Sequence, residues 1–411
     1  MPAAERPGLV ASGVSDARVI VRVDLNVPLN GRTIADDARL RAALPTLRAL
    51  GSRRNRILIV AHLGRPAEPQ PDLSLAPVAR ALSRLLGRSV PLVPSVERWS
   101  RDAPGAETAL LENIRFDPRE PSASAAERRE LAAELRAGAD LVVSDAFSTF
   151  HRRHATIVEL VQPGPSVAGS LVELELAALA PLRSAAAPLL VIVGGTRVEE
   201  KLGILDGLAA SPATVLLGAQ MAAGLTGLVA RGGPKGAVAR GILARGSTVL
   251  PADVVVGGEA GRLRVVPLRD VVPGMRVIDL GPQACTHVAE LVRAARTVVW
   301  NGPPGLQHER AGRRGAETLA AACAESRAVT IVGGGTTSMP LRWLGLIDRV
   351  THVSTGGTVL LQMLLGRPVP GLDAVLAGGR NDGAGQSPTA TTSSTRATAR
   401  RQPARARSAR S

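Results

Sequence analysis

The chain has 411 residues, 45% of them hydrophobic, and carries a formal charge of +15; that length suits about two or three domains with ordinary buried cores. No apolar run approaches bilayer-spanning length, the N-terminus lacks a signal-peptide pattern, and Cys285 and Cys323 alone suggest neither a disulfide framework nor a metal cage. Lys201 and Lys235 are the only lysines, and three Phe, three Trp and no Tyr leave no aromatic platform for bases, so a dedicated nucleic-acid reader, resting on the net charge and basic tail alone, ranks last among the readings and a cytoplasmic protein is expected.

In chain order, apolar β-branched runs alternate with helical patterns. ARVIVRV (17–23) predicts a first buried strand, and the following DLNVP leaves Asp24 and Asn26 at its end. DDARLRAALPTLRAL (36–50) predicts a helix with an acidic N-terminal cap, Leu40, Leu44 and Leu47 on one face, and a kink at Pro45. Arg39 falls in its first turns. RILIVAH (56–62) predicts a second strand, whose AHLGRP turn offers His62 and Arg65; LLENIRF then offers Arg115. ADLVVSDAF (139–147) predicts a third strand, running into FSTFHRRHAT with Arg152 and His154.

A helical stretch at 167–184, with Leu171, Leu174, Leu176 and Leu179 available for packing, separates this block from a second one. There LLVIVGG (189–195), ATVLLG (213–218), RTVVWNG (296–302) and AVTIVGGG (328–335) predict buried strands. VGGTRVEEKLG puts Gly194 and Gly195 at a strand end, then Arg197 and Lys201 four residues apart, a spacing that projects both cations from one helix face. VVWNGPPG, VGGGTTS and VSTGGTVLL add further strand-end loops. Beyond Leu376 the composition falls to Gly, Ser, Thr, Ala, Pro and Arg, which predicts a disordered tail. The fold class is therefore α/β, with two doubly wound parallel-sheet domains joined by a hinge helix.

Taken singly, most of these arginines would be solvated surface and most of these glycines short connections. Convergence changes that. Four arginines and a histidine at one sheet edge form a bowl for a small polyanion, because a guanidinium grips phosphate and carboxylate oxygens bidentately. Helix N-termini after Gly-Gly offer free N–H groups to phosphate. No loop matches a P-loop or a dinucleotide fingerprint, so the residues alone imply a phosphate-like ligand.

The series VRVDLNVP, DDARLRAALPTL, AHLGRP, LLENIRF, SDAF-T-HRRHAT, VGG-RVEEK, VVWNGPPG, VGGGTT and VSTGG resembles phosphoglycerate kinase, in the order found there, over about residues 15–376. The resemblance implies a monomeric, hinge-bending kinase with the phosphoglycerate kinase fold. Its activity would be reversible phosphoryl transfer between 1,3-bisphosphoglycerate and ADP with Mg2+, giving 3-phosphoglycerate and ATP in glycolysis. It implies a 3-phosphoglycerate domain (1–166), a hinge helix (167–186), a nucleotide domain (187–360), a segment returning to the first domain (361–377) and a basic tail (378–411). By motif position the acid site comprises Asp24, Asn26, Arg39, His62, Arg65, Arg115 and Arg152. The nucleotide site comprises Gly194, Gly195, Lys201, Asn301, Glu309, Gly334, Gly335, Thr336, Thr337, Gly356 and Gly357. Arg39, Arg197 and Lys201 would act on the phosphoryl group in transfer.

Departures from the family pattern concentrate in the nucleotide half. Thr336 stands where the magnesium-holding aspartate belongs, so no metal ligand is assigned. Arg197 replaces a lysine, Ala219 and Gln220 replace two pocket-lining glycines, and Thr358 and Leu360 alter the last loop. His308 takes the place of a glutamate expected at the ribose, with Glu309 beside it. In the first half, Ser148 replaces a glycine and Phe150 an alanine. Weakened or redirected nucleotide use is therefore expected. A divergent paralogue and a non-enzymatic sensor of a phosphorylated three-carbon acid are the alternatives.

Overall fold

In a computed structural model described over residues 13–66, 68–95, 107–162, 164–257 and 262–378, the predicted alternation forms two parallel sheets. The first half runs β1 (Arg18–Val23), a hairpin of β2 (Leu29–Asn30) and β3 (Thr33–Ile34), α1 (Ala38–Gly51), β4 (Arg56–Val60) and α2 (Ala76–Leu86). It continues through β5 (Leu92–Val93), β6 (Thr108–Leu111), α3 (Ala125–Arg136), β7 (Leu141–Asp145) and β8 (Ser166–Ala168). Its sheet has the order β5-β6-β4-β1-β7-β8 with parallel pairing throughout. Runs such as RVIVRV and RILIV suit strands that are covered on both faces.

The second half runs α4 (Ser170–Leu179), β9 (Leu189–Val193), α5 (Val198–Ala209), β10 (Thr214–Leu217), α6 (Ala219–Arg231), α7 (Gly233–Ala244) and β11 (Thr248–Val249). Then come β12 (Asp253–Gly257), β13 (Leu263–Pro267), β14 (Arg276–Leu280), α8 (Pro282–Ala294), β15 (Thr297–Asn301) and α9 (Arg314–Glu325). The chain ends its described course with β16 (Val329–Gly333), α10 (Gly335–Trp343), β17 (His352–Ser354), α11 (Thr358–Leu364) and α12 (Pro370–Gly378). The parallel order is β11-β10-β9-β15-β16-β17, and β13-β12-β14 forms a small antiparallel sheet beside it.

Three local expectations are corrected. The stretch 167–184 is not one helix: β8 takes its first residues, α4 ends at Leu179, and residues 180–184 form a 3-10 turn. Leu179 is buried but Leu174 is 59% exposed, so only part of the leucine set packs. Helix α1 runs unbroken through Pro45, which lies on its exposed face, where water can serve the carbonyl that the ring leaves without a donor. Its acidic start is also displaced: Asp37 occupies the cap position without capping, while Asp36 Oδ1 accepts the Ala38 N–H at 2.9 Å. Leu40, Leu44, Leu47 and Leu50 are buried as the spacing requires, each contributing about 1.5–3 kcal/mol.

Helix α4 bridges the halves. Its N-terminus is capped by Asp145 of β7, whose Oδ1 accepts from Leu171 and Val172 at 3.0 and 3.2 Å. Further along, buried Glu175 accepts from the Thr355 N–H and hydroxyl, both at 2.6 Å, and lies 2.9 Å from His352 Nε2. The tail predicted beyond 378 lies outside the described residues.

Candidate functional site

In each parallel sheet the chain builds outward in one direction and then returns to the other side of its first strand. The reversals fall between β1 and β7 and between β9 and β15. At such a point the loops leaving the carboxyl ends of the strands diverge and open a crevice, the usual ligand position in an open α/β sheet. The predicted site residues gather at these two places.

At the first, Asp24 follows β1 and is 7% exposed. Its Oδ1 accepts the Asn26 N–H at 3.0 Å, while Arg39 and the Ser148 hydroxyl both donate to Oδ2. Burial opposes the charge on Asp24, but Arg39 and Ser148 overcome it and hold the carboxyl well below the usual range. Asn26 Oδ1 accepts the Gly64 N–H at 2.8 Å, and Arg115 donates to the Gly64 carbonyl at 2.6 Å. Asn113 sets that arrangement, accepting from Leu63 and Arg115 and donating to the Leu63 and Leu73 carbonyls. Burial, then Arg152 and Arg22, makes the Arg115 charge costly and lowers its pKa to about 10. Arg152 is lowered by burial and then by exposed Arg65, and it donates to His151 Nε2 at 3.2 Å. His62 is buried and lies against Arg22.

This basin is short of anions. Arg22, Arg39, Arg65, Arg115 and Arg152 outnumber the carboxylates of Asp24 and Glu120, so a multiply charged oxyanion would relieve their mutual repulsion. Arg22, Glu120 and Thr156 were not expected from the sequence. The available signal was a charge inside RVIVRV, a run otherwise suited to a central strand. Ser148 supplies a hydroxyl to Asp24, and Phe150 is fully buried against Phe147, with ring centroids 5.8 Å apart.

The second crevice is built of close backbone approaches. A Cβ on Gly194 would lie 2.1 Å from the Pro303 carbonyl oxygen, so only glycine lets the loops after β9 and β15 meet there. Fully buried Trp300 of β15 donates its indole N–H to the Gly302 carbonyl at 2.9 Å and steadies that loop. Lys201 turns into the crevice, donating to the Gly194 carbonyl at 2.8 Å and to Asn301 Oδ1 at 3.3 Å. Asn301 in turn donates to the Gly333 carbonyl at 3.1 Å, and a Cβ on Gly357 would meet its Nδ2 at 2.6 Å. Gly334, at φ +100, turns the chain into α10, where buried Thr337 accepts the Gly302 N–H at 2.9 Å.

Arg197 and Lys201 do not project together from one helix face. Arg197 precedes α5 with non-helical backbone angles and pairs at the surface with Glu200 at 3.2 Å, whereas Lys201 points inward. They remain close enough to interact: burial first, then Arg197, lowers the Lys201 pKa to about 8. Glu309 is engaged by Arg276 and lies 3.2 Å from His308 Nε2. Gln220, in the first turn of α6, donates to the carbonyls of Val277 and Ile278 at 3.0 and 2.8 Å and so links α6 to β14.

The crevices share an electrostatic field, since Arg197 of the second is among the charges that lower the Arg152 pKa in the first. The loop after β17 also abuts the first half, where a Cβ on Gly356 would lie 2.7 Å from the Phe147 ring. Thr336 is exposed in the first turn of α10, and that turn contains no acidic residue. Among the described residues no group of three or more His, Cys, Asp or Glu side chains converges. The residues present therefore do not fit a magnesium ion held by protein carboxylates.

A family profile described as phosphoglycerate kinase matches residues 10–367. A phosphoglycerate kinase of Thermomicrobium roseum is 41% identical over 391 residues, covering 88% of this chain and 97% of the relative. One from Rubrobacter xylanophilus is 41% identical over 376 residues, covering 86% and 94%. Among solved structures, phosphoglycerate kinase from Pyrococcus horikoshii superposes with a TM-score of 0.76 at 28% identity, covering 89% of this chain and 97% of that one. The Coxiella burnetii enzyme gives 0.68 at 32% identity with the same coverage.

Proposed function

This chain belongs to the phosphoglycerate kinase family, and on that premise we propose that the basin after β1 and β7 binds the three-carbon acid and the crevice after β9 and β15 binds the nucleotide. The chain is a phosphotransferase with a carboxyl-group acceptor, and its reaction is the reversible exchange of a phosphoryl group between 1,3-bisphosphoglycerate and ADP. Family membership gives no support to the paralogue or sensor alternatives.

The chemistry explains the composition of the site. In the direction of ATP use, a carboxylate oxygen of 3-phosphoglycerate attacks the γ-phosphorus as the bond to the β-phosphate oxygen breaks. The nucleophile is already an anion and the leaving group departs as one, so no proton needs to move. What the site must supply is alignment and positive charge. Asp24, itself held by the Ser148 hydroxyl, holds Arg39, whose remaining donors are left for the group in transfer. Arg65, Arg115, Arg152 and His62 seat the acid together with Asn26. Lys201 and the turns at Gly194–Gly195, Gly334–Thr337 and Gly356–Gly357 cradle the nucleotide phosphates, with Asn301 behind them and Arg197 at the rim. Glu309 takes the ribose side.

The observation that carries this reading is the pair of cationic sites at the two sheet reversals, with Arg152 in the field of Arg197. The nucleotide would enter as its Mg2+ complex, with the phosphates supplying the ion's anionic ligands, because the first turn of α10 holds no acidic residue. The 3-phosphoglycerate domain spans 1–166, a hinge 167–186, the nucleotide domain 187–360, and a segment at 361–377 returns to the first domain. The Gly371 N–H donating to the Phe150 carbonyl at 2.9 Å supports that return. The working form is a cytoplasmic monomer with no dedicated nucleic-acid partner, and no helix among the described residues is long and apolar enough to cross a membrane.

Separate calorimetric titrations with ATP and with 3-phosphoglycerate at pH 7 and pH 9 test the assignment. Lys201 loses its charge as pH rises through about 8. Bound phosphate favours the charged form, so nucleotide binding takes up a proton above that pH and its affinity falls. The arginines of the basin stay charged, so affinity for the acid should hold. Equal losses for both ligands would place Lys201 elsewhere in the mechanism.

Gln220 stands where the family has a pocket-lining glycine, and its amide spans from α6 to β14. A base entering that gap must displace the side chain and its two hydrogen bonds, at a net cost of about 1 kcal/mol. Gln220→Gly is therefore expected to lower the KM for ATP about fivefold and leave that for 3-phosphoglycerate unchanged. An unchanged KM for ATP would remove Gln220 from the nucleotide path.

A further inference from the structure

Arg22 is a charged residue in the middle of the first sheet, and the reaction as described does not use it. It stands opposite Val60 of β4 and Ser144 of β7 and is 1% exposed. Every guanidinium nitrogen is engaged. Nε donates to Thr156 Oγ1 at 2.8 Å, Nη1 donates to the Val23 carbonyl, and Nη2 lies 3.2 Å from His62 Nδ1. Behind it, the Thr156 hydroxyl and N–H donate to Glu120 at 2.7 and 2.9 Å. Glu120 is fully buried, and this chain of bonds gives Arg22 its compensating charge.

A guanidinium has only N–H donors and stays protonated. Opposite one at hydrogen-bond distance, His62 Nδ1 is the acceptor, and the single proton of the neutral ring sits on Nε2. We propose that Arg22 is a positioning residue: by occupying Nδ1 it fixes His62 in the Nε2–H tautomer and makes the ring a donor toward an oxyanion in the basin. The other tautomer would set N–H against N–H at Arg22 and turn a lone pair toward the oxygen of the ligand. Asp24 favours a charged ring, but burial and Arg22, joined by Arg115 and Arg152, outweigh it and keep His62 well below its usual pKa. Among the described residues none partners Nε2. The ligand part of this inference rests on the basin being the acid site; the tautomer part does not.

The test uses the full chain with 15N-labelled histidine rings, His62 being assigned by the loss of its signals in His62→Gln. At pH 7 the wild type should show an unprotonated Nδ1 and a protonated Nε2. Arg22→Met should populate the Nδ1–H form and raise the KM for 3-phosphoglycerate about fivefold, the loss of one aligned hydrogen bond, with a much smaller change in kcat. Arg22→Lys keeps a donor and should restore the Nε2–H form and part of the KM. A wild-type ring that is cationic or Nδ1-protonated overturns the proposal, as does an unchanged tautomer in Arg22→Met. If circular dichroism shows that Arg22→Met fails to fold, the wild-type tautomer decides alone. A shifted tautomer with unchanged KM supports the hold of Arg22 on the ring and contradicts the placing of His62 in the acid site.

Discussion

Replacing Arg39 by alanine is expected to lower kcat about a thousandfold, the scale seen when a cation aimed at a phosphoryl group in flight is removed. The expectation follows from the absence of any proton to move. With no general base in the reaction, stabilisation of the charge on the transferring group is the main service the protein supplies. Arg39 is suited to that service because its pairing with Asp24 uses one edge of the fork and fixes the direction of the rest. The KM for 3-phosphoglycerate should change far less than kcat, because in the proposed site Arg65, Arg115 and Arg152 would still hold the acid. Alanine also leaves Asp24, which is 7% exposed, with only Ser148 and the Asn26 N–H. A drop in melting temperature should therefore accompany the kinetic loss. Arg39→Lys keeps the charge and should recover part of the stability but less of the rate, since an ammonium cannot grip Asp24 and phosphoryl oxygens in one plane. A fall of less than tenfold in Arg39→Ala would show that Arg39 does not act on the group in transfer.

Thr336→Asp should raise kcat about tenfold at saturating magnesium, equivalent to about 1.4 kcal/mol of added transition-state stabilisation. Thr336 lies exposed in the first turn of α10, beside the loop that follows β16, with no acidic side chain in that turn. An aspartate there would give the ion a hard anionic ligand and anchor it to the protein as well as to the nucleotide. The sign should reverse when magnesium is scarce, because an uncompensated carboxylate then faces the nucleotide phosphates. Rate curves for parent and variant are therefore expected to cross as magnesium is raised. The same carboxylate would complement the helix dipole and add about 0.3–1 kcal/mol of stability, readable in a thermal melt. Parallel curves at every magnesium concentration would mean that Gln220, Arg197 or the loop at Thr358 limits the enzyme instead.

Sequence periodicity located the strands that matter because a parallel sheet covered on both faces demands long apolar β-branched runs. The predictions around 17–23, 56–62, 189–195 and 296–302 fall on β1, β4, β9 and β15, whose ends carry both candidate sites. The strands of two or three residues β5, β8 and β11 are too short to show a period and were missed. The antiparallel sheet was also missed, although DVVVG of β12 and RVIDL of β14 are apolar β-branched runs of the same kind as the predicted strands; in β13, Leu263 and Val265 are exposed. Site residues were legible where glycine or arginine marks a strand end. Arg22 was not, since a charge within a strand is usually an edge residue, and only the placement of Thr156 and Glu120 behind it explains its burial. The Gln220 substitution could be seen in the sequence, but its reach to Val277 and Ile278 depends on where β14 lies relative to α6.

Turnover is the most direct test of the kinase assignment. With the full chain, 3-phosphoglycerate, ATP and magnesium, and a coupling system that consumes 1,3-bisphosphoglycerate, that assignment predicts a rate well above background that saturates in both substrates. That rate should collapse in Arg39→Ala. No turnover above background at saturating substrates, in a protein that still binds 3-phosphoglycerate by calorimetry, would contradict it.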